Sequence, residues 1–388
     1  MRYDIYINKI RARLLLMAVA VLLLAACSDN DAPETGGETD TLQLVAYRQG
    51  RTEASEWATR AISYPSADYT EYKGPNSIGV YAMPIPTEAY PNPVFPTEVR
   101  TFTYENNKWS SLVSVKKDET YCIYGYMPVS SNIDCNISML TGETTYEKGA
   151  VMTFNDLPPV LGGDFSVVTG LLQLELDNEG HVSEEGDLAH GNFAYTGKQN
   201  GSNYVCLMLD HLYPCVRFKF LVNDDYSKLR TIKLKEVKLK TQSDVTYPLK
   251  VTLKAGQNCD ISYDDTPVSL TSNFATLFTS TTLDGDELSP STDEAKAKVV
   301  EGYFAPFTNV ANNLVLECKY NVYVKDKNGD LILTRENCVA TNKLPANRFV
   351  VDRDRLNQRT TIILKVNPTY LYVLSDPDLD NPTVEVGN

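Results

Sequence analysis

From Leu42 onward the sequence alternates apolar and polar residues with a period of two, in short runs cut by Gly, Pro, Asn and Asp. That period sends successive side chains to opposite faces, so each run predicts a strand with one face buried. The runs 42–47 (LQLVAY), 78–83 (IGVYAM), 121–128 (YCIYGYMP) and 150–155 (AVMTFN) are the clearest of the first half. Residues 99–104 and 109–115 flank Asn106-Asn107, a pair suited to the positive-φ turn of a tight hairpin. In the second half, 314–324 and 331–339 flank Asn328-Gly329, a still stronger hairpin signal. The cluster at 325–330 also resembles part of a calcium loop, but the 12-residue frame with its final Glu is absent, so a turn is expected. Runs at 360–366, 370–374 and 383–386 close the chain. Convincing amphipathic helices are scarce and no fixed-period repeat is visible, which predicts an all-β protein built of sandwiches.

The N-terminus reads as an address rather than as part of the fold. Arg2, Lys9, Arg11 and Arg13 precede the 13-residue apolar run 14–26, too short for the roughly 20 residues of a membrane span. The run ends Leu24-Ala25-Ala26-Cys27, which resembles a bacterial lipobox, with Cys27 as the lipid anchor; the alternative is an ordinary secretory signal. Residues 1–26 are therefore the expected signal peptide and the acidic, Gly-containing stretch 27–41 a flexible tether. This places the chain at the outer membrane, facing outward and touching the bilayer only through the lipid.

Removing 1–26 leaves 32 Lys+Arg against 49 Asp+Glu, a net charge of −17. Such an acidic chain is not a nucleic-acid binder, because phosphate neutralisation needs surplus cations. In residues 231–241 (TIKLKEVKLKT), Ile232, Leu234, Val237 and Leu239 alternate with Lys233, Lys235, Lys238 and Lys240, with a phase slip at Glu236. A basic binding patch is one reading; the solvent face of a strand bulged at the slip is the favoured one. Seven cysteines remain besides Cys27, in no zinc or CxxC spacing, and read as small buried hydrophobes, with a Cys206–Cys215 bridge as the alternative.

Catalytic signatures are missing. The sequence holds no GxSxG, no GxGxxG after a strand, no P-loop and no HExxH, so no enzyme activity and no cofactor are expected. His181 and His190 lie in or beside the charged stretch 177–191, a predicted solvated loop, and His211 reads as a hydrogen-bonded strand-end residue. Asp376, Asp378 and Asp380 read as a solvated turn, with a calcium site as the alternative. The chain length suggests two domains, divided after 198–202 (KQNGS): 42–200 and 201–388, as tandem β-sandwiches.

The lipobox, the segment ending Ala58-Thr59-Arg60-Ala61, Ile78-Gly79-Val80-Tyr81-Ala82, Leu209-Asp210-His211-Leu212 running into VRFKF, and Leu344-Pro345-Ala346-Asn347-Arg348 occur in an order that resembles the fimbrillin family of lipoprotein pilins and pilus-associated adhesins. The resemblance covers most of the mature chain. It implies two transthyretin-like Greek-key sandwiches and assembly by strand exchange, in which a trypsin-like protease cuts after an Arg and frees the first strand. Here that strand would be 42–47, with Leu42, Leu44 and Ala46 facing inward. Arg60 is the preferred cut site, with Arg51 and Arg48 as alternatives. The donor candidates would be Tyr370, Tyr372 and Leu374, and Val384 and Val386. The implied partners are other pilus subunits, in a homo- or heteropolymer, and host or bacterial surface ligands. A surface glycan-binding lipoprotein of a nutrient-uptake system is the alternative, its 24 Tyr supplying aromatic platforms.

Overall fold

The computed structural model describes residues 39–53, 69–130, 133–155, 157, 160–172, 175–176, 182–184, 190–198, 203–241, 245–246, 249–257, 260–263, 268–269, 274–305, 314–344, 356–366 and 383–386. Among them the regular structure is almost all strand, with single helical turns at Asp224–Ser227 and Glu294–Lys296. Besides the short strand Thr39–Thr41, the N-terminal segment supplies β1 (Gln43–Gln49), β2 (Thr52–Glu53) and β3 (Tyr69–Glu71). Farther on lie β4 (Ser166–Leu171), β5 (Tyr204–His211), β6 (Cys215–Val222), β7 (Gln358–Val366) and β8 (Thr383–Val386).

The largest sheet runs β3, β1, β5, β4, then Thr120–Met127, Ile78–Pro84, Arg100–Glu105 and Lys108–Ser110. Its two ends come back together, for Trp109 stacks on Tyr72 at 6.0 Å and its Nε1–H donates to Tyr72 O at 3.2 Å. Inside that curl Leu42, Leu44, Ala46, Ile78, Val80, Phe102, Trp109, Ile123 and Leu207 form one core. The outer face carries Tyr81, Met83, Tyr124, Tyr126 and Phe165, packed on Ala150, Met152, Phe154, Leu249, Val251 and Leu253 of a four-stranded sheet. That sheet joins strands from both halves of the chain, since Gly149–Phe154 pairs antiparallel with Leu249–Lys254. A third core lies between a sheet of Val160–Leu161, Lys298–Phe304, β6, β7 and β2 and a second sheet of Phe274–Thr279, Arg230–Thr241, Leu314–Lys325 and Leu331–Leu344. The fold class is all-β, with sheets stacked as sandwiches.

Two long pairings are parallel. β1 runs alongside β5, from Gln43 opposite Tyr204 to Arg48 opposite Leu209. β6 runs alongside β7, from Cys215 opposite Arg359 to Val222 opposite Val366. In each case the two strands lie far apart in sequence, and a parallel pairing needs such a long connection.

Several expectations hold in detail. Asn106 and Asn107 both take positive φ at the predicted hairpin turn. The lysine-rich strand carries a register shift between Leu234 and Glu236, at the phase slip. Its lysines are engaged: Lys240 pairs with Glu317, and Lys238 with Glu236 at 3.0 Å, so the face is a solvated, ion-paired one. At 325–330 a turn forms, with Asp326 Oδ1 accepting from the backbone of Asn328 and Asp330 at 2.8 Å each.

Cys206 and Cys215 are buried free thiols, as the favoured reading expects, on strands of different sheets, because the chain crosses from one sheet to the other at Tyr213-Pro214. Other expectations need correction. Within the predicted loop 177–191, Val182–Glu184 forms a strand paired with Glu175–Leu176. His190 is only 18% exposed and hydrogen-bonded rather than solvated. Strand β4 escapes a search for alternation because both its faces are buried, Val167 in one core and Val168 in another.

Candidate functional site

The N-terminal segment is seated by two kinds of interaction, apolar along β1 and ionic at its end. Leu42, Leu44 and Ala46 point inward and are at most 3% exposed, while Val45 and Tyr47 pack on the other face beside Cys206 and Met208. Burying each leucine contributes roughly 2 kcal/mol. A short strand at Thr39–Thr41 extends the seat by pairing with Ser114–Lys116.

Past β1 the chain turns and Arg51 enters the interior. Its side chain is 7% exposed. Nη2 donates to Asp164 Oδ1 at 2.6 Å and to Tyr213 O at 2.9 Å, and Nη1 donates to Leu356 O at 3.0 Å. The guanidinium also lies 5.2 Å from the centre of the Tyr303 ring. Arg48 reaches the other carboxylate oxygen at 3.5 Å and stacks over Tyr72. His211, 3% exposed at the end of β5, completes the cluster: Nδ1 lies 3.0 Å from Asp164 Oδ1 and Nε2 lies 2.8 Å from Gln49 O. Both ring nitrogens thus face oxygen atoms of the cluster. Burial alone would raise the Asp164 carboxyl; His211, Arg51 and Arg48 outweigh it and hold the group at about 2.

The neighbouring residue on β5 locks the opposite face. The Tyr69 hydroxyl, on β3 beyond β1, donates to Asp210 Oδ1, and His190 Nε2 stands 3.1 Å from Asp210 Oδ2 and 3.2 Å from the Tyr69 oxygen. Tyr69 is in register with Gln49, so the Tyr69–Asp210 bond straps the end of β1 against β5.

β2 then leaves this sheet and pairs parallel with the start of β7, Thr52 opposite Gln358 and Glu53 opposite Arg359. Glu53 accepts from Arg359 Nε and Thr361 Oγ1 at 2.8 Å each and lies 3.5 Å from Arg217; Glu301 holds Arg217 at 2.7 Å. The N-terminal segment thus joins strands of two sheets. β8 occupies the same edge of β7 farther along, Val386 opposite Ile362 and Val384 opposite Leu364.

Of the residues nominated from sequence, Leu42, Leu44 and Ala46 lie in one core, Arg48 and Arg51 meet at Asp164, and Val384 and Val386 are in β8. Cys27, Arg60, Tyr370, Tyr372 and Leu374 lie outside the described residues. His211 is hydrogen-bonded at its strand end as expected. Sequence reading missed Asp164, Glu53, Arg217 and Arg359; the one available signal was an acid, Asp164, heading the mostly apolar stretch 165–168 (FSVV). Among the described residues, no Tyr or Trp offered as a glycan platform is fully exposed: Trp109 is buried, and every Tyr whose side chain is described is buried or half-buried. Burial pushes the thiols of Cys122, Cys135, Cys206, Cys215 and Cys318 up to about 12, which disfavours the reactive thiolate there.

Neither a protein-family model nor a curated protein matches the sequence. Among solved structures the chain is similar to a fimbrial protein from Bacteroides vulgatus, at 15% identity and a TM-score of 0.43, covering 89% of this chain and 98% of that one. It is also similar to the fimbrial anchor protein Mfa2 from Porphyromonas gingivalis, at 13% identity and a TM-score of 0.22, covering 88% and 95%. These are likenesses of all-β architecture between distant sequences.

Proposed function

We propose that this chain is a fimbrillin-like structural or adhesive subunit of a cell-surface pilus, exported as a lipoprotein through Cys27 and assembled by protease-triggered strand exchange. The observation that carries the reading is the seat of β1. A strand that fills a core with Leu42, Leu44 and Ala46, and whose backbone pairs along β5, leaves a groove of matching length when it departs. An unpaired sheet edge above an open core takes an extended segment, with main-chain hydrogen bonds supplying affinity and alternate side chains supplying register.

The placement of the arginines favours Arg60 as the cut site. Arg48 and Arg51 are committed to Asp164 and are not free to enter a protease specificity pocket. Arg60 falls in sequence between β2 and β3, so one cut there separates both β1 and β2 from the body. The division into tandem sandwiches 42–200 and 201–388 is kept as part of this reading; the parallel pair β6–β7 lies within the second half, whereas β1 and β5 pair across the boundary. The segment containing Tyr370, Tyr372 and Leu374 and the edge strand with Val384 and Val386 are the donor candidates, so the partners are other pilus subunits.

Deleting residues 370–388 tests the assembly. The truncated protein should still be exported and lipidated but absent from high-mass polymers on the cell surface. Polymers that persist would remove the donor assignment, and loss of export would mean that the tail serves folding instead.

A further inference from the structure

The seat of the N-terminal segment discriminates by charge as well as by shape. Arg51 and Glu53, two residues apart, each meet an opposite charge on the body: Asp164 for the arginine, Arg359 with Arg217 for the glutamate. When the segment leaves, these sites change unequally. Glu53 is half exposed, and Glu301 remains to hold Arg217, so the anion position loses little. Asp164 is only 8% exposed and loses both of its guanidinium partners at once, keeping only His211, whose Nε2 simultaneously loses the Gln49 carbonyl. A buried carboxylate stripped of its cations is the costly outcome.

This chain's own C-terminal tail does not repair that loss. Residues 367–388 contain four acids, Asp376, Asp378, Asp380 and Glu385, and no Lys or Arg. Resting on the proposed function, we infer that the vacated seat takes a strand from a different subunit, one carrying Arg or Lys two residues before Glu or Asp, and that it refuses this chain's own tail. The cation is the dominant determinant and the acid a minor one. A subunit built this way joins a heteropolymer at this groove rather than pairing with copies of itself.

The test uses the full mature chain with a single site-specific protease sequence at 58–60, nicked there, and a fluorescent peptide of residues 39–60. Release of the segment and rebinding of the peptide, followed by anisotropy, establish that the strand is removable. The inference then expects Arg51→Ala in the peptide to weaken binding at least about 100-fold and Glu53→Ala less than about 10-fold. A peptide of residues 367–388 should fail to compete at concentrations where 39–60 does. Binding indifferent to Arg51, or competition by the tail peptide, overturns the charge-reading inference while leaving strand removal intact. A nicked segment that never leaves overturns the strand-exchange reading and this inference with it.

Discussion

Replacing Asp164 by Asn tests the ionic half of the seat, and its magnitude can be worked two ways. The side chain keeps its shape and one acceptor oxygen but loses its charge, leaving Arg51 buried beside a neutral amide. Removing one partner of a buried ion pair costs about 3–5 kcal/mol, and a retained hydrogen bond brings the expectation to the lower end. The carboxyl itself sets a second scale: its depression from 3.8 to about 2 corresponds to roughly 2–3 kcal/mol of preference for the charged form in the folded protein. Together these bracket a loss of about 2–4 kcal/mol at neutral pH.

The pH dependence fixes the cause. The folded-state value lies below the unfolded one, so the contribution is fully present above about pH 4 and is lost as pH falls through about 2. In urea unfolding of the unlipidated mature chain, Asp164→Asn should be less stable than the parent at pH 7. The gap should shrink as both are taken from pH 5 toward pH 2. Stabilities within about 0.5 kcal/mol at pH 7, or a gap that does not change with pH, would refute the view that charge at Asp164 anchors the segment.

Other outcomes follow from particular residues. Cys27→Ala should abolish incorporation of labelled palmitate and leave the protein unanchored, read from cell fractionation. Gly149→Ala should destabilise severely or prevent folding, because φ there is +136° and an added Cβ would sit 2.0 Å from Leu253 O, where the two halves share a sheet; circular dichroism melts read it. Trp109→Ala should cost about 3–5 kcal/mol in thermal or urea unfolding, since the ring fills the closure between the two ends of the large sheet and stacks on Tyr72.

Strands with one wet face were legible in the sequence because burial imposes a period of two. The bulge between Leu234 and Glu236 left its mark as a phase slip, and the Asn106-Asn107 turn as a pair tolerant of positive φ. Partner choice was not legible. Alternation says that Gly149–Phe154 needs a neighbour but not that the neighbour is Leu249–Lys254, about a hundred residues away. The same limit hid the seat's ionic cluster, for Arg51, Asp164 and His211 carry no mutual spacing signal and meet only through the sheet that positions β5. Leu42, Leu44 and Ala46 were readable as an inward face, whereas the role of Arg51 changed once Asp164 stood beside it. His190 misled because a charged sequence environment resembles solvent, while Asp210 and Tyr69 lie close by only in three dimensions.

The intact mass and N-terminal sequence of the protein released from its native cell surface test strand removal most directly. The proposed function predicts a chain that begins at Ala61 and carries no lipid. A chain that still begins at diacylated Cys27 would contradict removal of the first strand.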